Sequence, residues 1–483
     1  MANLSDIITP TNVVAVAPGA NGNVLTSNGT AWTSAAAPIS AVQFPQQSKS
    51  ADYTLVLSDA GKQIFHPASD SALRSFTIPA NSSVAFPVGT VVLFTVENGG
   101  RPVEVKITSD TLVFGNGTTG TIPVAANNTL MAVKVSSTKW MANYLYQTGS
   151  PATLTYSVAV STDSTPYVTA YPFSQSGFGA KFTNPASLPS NTGYDVAFSP
   201  SGNAIAVANY LSPYINAYPW SASGFGTKFT NPATLPTGYG LRVAFSPTSD
   251  AVAVAHANSP SVTAYPWSAS GFGTKFSDPS TLPLGGGRGV AFNPAGNVIV
   301  VGHDSSPYIS AYAWSASGFG TKFSNPATLL TQGGSVRFSP AGDAIAIAQF
   351  SSPYIAAYAW SSSGFGTKFA NPSTLAPDNG YDVAFSPAAD AVALAHRTSP
   401  YVTVYSWSAA GFGTKFSNPA TTPTGNAFGV AFNPAGNALA VAHATSPYIT
   451  AYPWSASGFG TKFSDPATSP GSQGNGVAFT LNP

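Results

Sequence analysis

The sequence contains no cysteine, and that single absence excludes disulfides, thiolate nucleophiles and Cys-based zinc sites together. Charge is scarce as well. Asp, Glu, Lys and Arg make up 7% of the 483 residues, against roughly 25% in an ordinary soluble domain. With a formal net charge of +1, the chain has no electrostatic footprint for nucleic acid or an anionic membrane. No stretch reaches the roughly 18 consecutive apolar residues of a membrane-crossing helix, so no membrane insertion is expected. The opening residues MANLSDIITPTNVVAVAPGANG lack a basic run leading into a continuous apolar core. No signal peptide is expected from them, and release by lysis is expected in place of secretion.

What the chain does have is 45 Gly, 41 Pro and 12% aromatic residues. Many turn-formers and aromatics with few charges point to an all-β protein of short strands. The triplet GFG begins at Gly177, Gly224, Gly271, Gly318, Gly364, Gly411 and Gly458, spaced by 47, 47, 47, 46, 47 and 47 residues. A period in the forties is that of a four-stranded propeller blade. One unit reads as four strands, VAFSP, NAIAVAN, YINAYPWS and FGTKFTNP, each broken from the next by Gly, Pro, Asn or Ser. The first unit starts late, at YSVAVSTDSTPYVTAYPF, and the chain ends on a lone inner strand, GVAFTLNP. The reading is a seven-bladed β-propeller over residues 150–483 in which the last strand closes the first blade, burying edges that would otherwise be exposed.

Every unit carries a Tyr two residues before a second aromatic, as in Tyr218/Trp220 and Tyr265/Trp267. A spacing of two puts both rings on one face of the third strand, where blades pack together. A lysine recurs in GFG(T/A)KF, from Lys181 to Lys462. On an outer strand it guards an exposed edge against pairing with another chain. Four histidines, His256, His303, His396 and His443, share one repeat position whose other copies are Ser161, Asn209 and Gln349. Two imidazoles per adjacent pair are too few for a zinc site, and exchange with Asn and Gln fits a hydrogen-bonding turn. No metal, cofactor or catalytic residue is expected.

Residues 1–45 read as an extended, small and polar attachment segment, and residues 46–149 as a β-rich connecting domain of sandwich or fibre type. In this third, GANGNVLTSNGTAWTS resembles a phrase common near the N-terminus of bacteriophage tail-fibre and other virion appendage proteins. DYTLVLSDAGKQIFHPASDSALRSFTIPANSSVAFPVGT, followed by STKWMA, resembles a β domain recurrent in the same class. Together they span roughly residues 17–145. The propeller units resemble WD40 repeats only in fold, since YPWS stands where the Trp-Asp ending would be. The resemblance implies a modular, trimeric virion protein, assembled in the bacterial cytoplasm and attached to other virion proteins through residues 1–149. Its propeller would bind a host surface glycan or protein. Two alternatives are a head fibre or decoration protein with the propeller as an inert cap, and a polysaccharide-degrading propeller.

A recruited site should break the repeat, so the copies were compared position by position. Ahead of the inner strand, at the face where ligands meet propellers, the residues are Asp195, Arg242, Gly289, Ser335, Asp382, Gly429 and Gly476. Arg288 adds a charge, Arg337 replaces an Ala found in the other six copies, and Tyr194 and Tyr381 precede the two aspartates. Asp195, Arg242, Arg288, Arg337, Asp382, Tyr194 and Tyr381 are therefore the candidate ligand-binding residues at the channel mouth, the alternative being solvated loops that drifted after duplication. Glycosidases need carboxyls about 5–9.5 Å apart. Asp195 and Asp382 come from opposite channel walls and the propeller has no glutamate, so a non-enzymatic binding role is expected.

Overall fold

A computed structural model describes residues 23–27, 32–36, 44–70, 72–97, 100–114, 119–146 and 156–482. The expected boundary between residues 149 and 150 and most of the N-terminal attachment segment lie outside them. Within that segment, Asn23–Ser27 and Trp32–Ala36 pair as an antiparallel hairpin.

Residues 44–146 build two sheets over one core that includes Ile64, Phe76, Phe94, Leu130 and Trp140. The chain alternates between the sheets. Gln46–Ser48, Gln63–His66 and Val91–Val96 lie side by side in one, while Tyr53–Thr54, Arg74–Ile78 and Val103–Ile107 lie in the other. Because each strand returns to its own sheet after one visit to the other, these neighbours run parallel. The first half of this region is thus wound as a flattened coil, a topology that local alternation of apolar residues does not reveal.

The rest is a ring of seven four-stranded antiparallel sheets. Counting in chain order, the first blade takes its inner strand from the C-terminus. Gly474–Leu481 pairs with Tyr156–Thr162, with Tyr156 opposite Leu481 and Val160 opposite Val477. In the remaining six blades the inner strands are 193–198, 240–245, 287–292, 336–338, 380–385 and 427–432. Second strands such as Ala204–Asn209 and Ala251–His256 are buried along their whole length, sandwiched between adjacent sheets.

The repeated aromatics fill the gaps between blades. Trp267 packs edge-on against Phe229 of the preceding blade at 5.1 Å, and against Phe245 and Phe272 of its own. Each third-strand Tyr is fully buried. Tyr218 and Tyr265 donate their hydroxyls to the backbone carbonyls of Ser187 and Thr234, both at 2.8 Å, in segments of the preceding blade. Burying one such ring contributes on the order of 1.5–3 kcal/mol, repeated around the circle. The outer strands are shorter than the repeat implies. Four end at the Phe of GFG, and three, such as Gly318–Lys322, reach the lysine. The lysines fold back onto Asn or Asp three residues on, as Lys228 does onto Asn231 at 2.8 Å.

Candidate active site at the axial mouth

The inner strands run from one rim of the channel towards the other, and their first residues form the mouth. Here the ladder is irregular. Gly193 pairs with Asn209 and Asp195 with Ala208, leaving Tyr194 as an extra residue. The same β-bulge makes Leu241, Arg288, Tyr381 and Phe428 the extra residues in four other blades, and Asn475 in the first. A bulge residue leaves the ladder and its side chain is re-aimed. All six turn into one pocket of about 230 Å³, joined by Gly334 and Ser335 from the remaining blade and by Arg242, Phe350 and Gln473.

Two aromatic groups flank this pocket. On one side Tyr194 lies 6.2 Å from both Tyr210 and Tyr239, which are 5.3 Å from each other. On the other, Tyr381 packs edge-on between Phe350 at 5.1 Å and Phe428 at 4.9 Å. Burial raises the Tyr194 hydroxyl above its ordinary pKa, with further contributions from Tyr239 and Asp163. It therefore stays protonated as a donor at neutral pH.

The charged residues lie at the centre. Arg242 donates to the carbonyl of its neighbour Leu241 and, across the ring, to that of Tyr381, both at 3.1 Å. Its buried Nε has no partner among the described residues. Arg288 is paired with Asp304 at 2.5 Å. Asn475 donates to Asp163 at 2.7 Å and to the carbonyl of Gly193 at 2.8 Å, tying the closing strand to the next blade.

Asp195 and Asp382, expected among the ligand-binding residues of the mouth, are buried and do not line the pocket. Asp195 accepts the backbone N–H of Val243 at 3.0 Å. Burial pushes its carboxyl pKa up, with Arg242 and Arg337 opposing and Asp382 reinforcing. Asp382 accepts the hydroxyl of Ser335 at 2.6 Å and the N–H of Val430 at 3.2 Å, and lies 3.8 Å from the Arg337 guanidinium. Arg337 lines a second cavity of about 420 Å³ further down the channel, among residues such as Ala197, Ala244, Ala384 and Ala431. Two carboxylates and two guanidiniums thus separate a mouth pocket from a lower chamber.

Of the seven candidate residues, Tyr194, Arg242, Arg288 and Tyr381 line the pocket, Asp195 and Asp382 are buried, and Arg337 lines the lower cavity. Comparison of the copies missed Leu241, Phe428 and Asn475. They occupy the position of Tyr194, whose pocket-facing role depends on the bulge. The histidines lie elsewhere. Their Nε2 atoms meet hydroxyls of the third strand, His256 with Thr263 at 2.9 Å and His303 with Ser310 at 3.0 Å.

No protein-family model and no curated protein matches the chain. Solved structures do. A Bacteroides fragilis protein assigned as a 6-phosphogluconolactonase is 14% identical, covers 69% of this chain and 100% of its own, and superposes with a TM-score of 0.55. A Bacteroides uniformis protein with the same assignment is 16% identical, with coverages of 68% and 99% and a TM-score of 0.53. The periplasmic gluconolactonase of Pseudomonas aeruginosa is 14% identical, with coverages of 68% and 100% and a TM-score of 0.53. The shared feature is the fold.

These likenesses correct the expectation of a non-enzymatic phage fibre or cap, since the propellers of this shape named above are lactonases by name. Nothing in the structure adds to the appendage resemblance of the N-terminal third or to the expected trimer. The physical reason the sequence misled is local. Bulge residues narrow the mouth into a small pocket, which the pattern of charges along the loops had not revealed.

Proposed function

We propose that the protein is a lactone hydrolase that takes a single polyhydroxylated sugar-acid ring into the axial mouth. The observation that carries this reading is the convergence of six bulge residues from six blades on one pocket. Its volume is below the ~300–1,000 Å³ of drug-sized ligand sites, which suits one ring and not an oligosaccharide. Tyr194, Phe350, Tyr381 and Phe428 offer apolar walls to the C–H faces of a sugar ring. Arg242 lines the pocket and is held by two backbone carbonyls, a preorganised positive charge for the oxyanion that forms when a lactone carbonyl is attacked. The fold likeness to propellers named as lactonases supports the same chemistry.

The test is direct. Purified full-length protein is given glucono-δ-lactone and 6-phosphogluconolactone, and acid release above the spontaneous rate is followed in a pH-stat. Turnover that falls at least about 10-fold in Arg242→Met supports the reading. Release at the spontaneous rate with both lactones overturns it.

A further inference from the structure

One blade breaks the repeat. The step from Gly318 to Gly364 is 46 residues where every other is 47, and the missing residue falls just ahead of the fifth blade's inner strand. That strand is cut to Val336–Phe338, while the others run to six residues or more. It has no bulge. Gly333, Gly334 and Ser335 stay outside any strand, although the Ser335 carbonyl still accepts the N–H of Ala348 at 2.9 Å.

The neighbouring blade is shaped to this defect. A Cβ at Gly289 or Gly302 would strike the Gly334 carbonyl. The counterparts of Gly302 in five other blades are Ala208, Ala255, Ala348, Ala395 and Ala442. Two polar residues stand at the start of this shortened strand. Ser335 lines the pocket, and Arg337 stands where the six other inner strands have Ala.

We propose that Ser335 is the catalytic residue of the lactonase reading above, passing the proton of the attacking water to Asp382, with Asp382 and Arg337 as positioning residues. The Ser335 hydroxyl proton is already directed at Asp382 Oδ1, 2.6 Å away. The hydroxyl oxygen is therefore an acceptor towards anything else it meets. Asp382 is fixed by the Val430 N–H and by Arg337, as a base oriented by a third group must be.

In the step, the water oxygen bonds to the lactone carbonyl carbon. Its proton moves to Ser335 Oγ while the Ser335 proton moves to Asp382 Oδ1. On collapse the bond from the carbonyl carbon to the ring oxygen breaks, and its electron pair goes to that oxygen. The ring oxygen takes the proton back from Asp382 through Ser335, and the open-chain hydroxy acid leaves. No further reactant is needed. A carboxylate is a weak base, but a lactone is an activated ester and requires no stronger one.

The experiment measures kcat and KM for glucono-δ-lactone in full-length wild type, Ser335→Ala, Ser335→Thr and Asp382→Asn, alongside thermal melting. General-base contributions run to about 10²–10⁴-fold. The expected result is a loss of at least about 100-fold in kcat for Ser335→Ala and Asp382→Asn, with KM changed less than about threefold and with recovery in Ser335→Thr. An active wild type with Ser335→Ala undiminished overturns the assignment and leaves the lactonase reading standing. If Ser335→Ala fails to fold, Asp382→Asn carries the same decision. A trapped acyl ester on Ser335, seen by mass spectrometry after rapid quench, overturns the relay in favour of direct attack. A wild type without turnover overturns both readings.

Discussion

The Arg242 guanidinium reaches the carbonyl of Tyr381 at 3.1 Å, from the third blade to the sixth, as far across a ring of seven as two blades can lie. The channel is therefore spanned at its mouth by one side chain that also lines the pocket. A hydrogen bond from a charged group to a buried acceptor is worth about 1.5–3 kcal/mol.

Arg242→Met should thus lower kcat/KM for a sugar lactone by about 10- to 100-fold. The melting temperature should fall only a few degrees, because the blades are held chiefly by their aromatic gaps. Steady-state kinetics and calorimetry on the same preparation check both halves. Arg242→Lys should recover little, since one ammonium cannot supply donors in two fixed directions.

Three histidines give the propeller an acid-side weakness. Burial lowers the pKa of His256, His396 and His443 to about 4 from an ordinary 6.5. The folded state keeps them neutral where the unfolded chain takes up protons, so stability is lost as pH falls from 6.5 towards 4. At about 1.4 kcal/mol per pKa unit, each costs on the order of 3 kcal/mol by pH 4. Gln349 already occupies this repeat position in another blade. Replacing the three histidines by Gln should flatten the fall in melting temperature between pH 6.5 and 4.5 while leaving it nearly unchanged at pH 8.

Glu104 acts in the opposite sense. It sits in the β sandwich, where Tyr156 of the first blade donates to it at 3.4 Å. Burial raises its carboxyl to about 7 from 4.5. Between those values the folded state holds a proton that the unfolded chain releases, so this residue costs stability as pH rises from 4.5 to 7, by about 3 kcal/mol in all. Glu104→Gln should raise the melting temperature at pH 8 and leave it unchanged at pH 4. An unchanged melt at pH 8 would mean that Glu104 is solvated there.

Much of this architecture could be read from the sequence, and the reasons are specific. The GFG spacing fixed the blade count, and YSVAVS at one end with GVAFTL at the other implied the closure seen between Tyr156–Thr162 and Gly474–Leu481. Both depend on period alone. The mouth was only partly legible. Copy-by-copy comparison found Tyr194 and Tyr381 through the aspartates beside them. Phe428 and Asn475 went unmarked because a bulge, invisible in a linear pattern, turns that position into the channel. Asp195 and Asp382 were picked out as ligand-binding residues, but their burial could not be read, since it depends on contacts between blades. The 46-residue step was visible as a number, but its meaning lies in Gly289 and Gly302, which make room for the Gly334 carbonyl.

That accommodation supplies the last prediction. Ala is the usual residue at the position of Gly302, so Gly302→Ala would pass for a harmless return to the repeat. In this blade the new methyl would meet the Gly334 carbonyl. Backbone can yield only by moving the segment that carries Ser335. Overpacking of this kind costs about 1–3 kcal/mol, a tolerable loss for so large a ring. The sharper effect should be on catalysis, because a displacement near 1 Å at a reacting group can cost about 100-fold. Gly302→Ala should therefore melt within several degrees of wild type yet lose most of its kcat. The control is Ala255→Gly, the reverse change in the third blade, which should lower stability slightly and leave kcat intact. If Gly302→Ala is as active as wild type, the defect is a tolerated scar in the repeat and not the framework of the site.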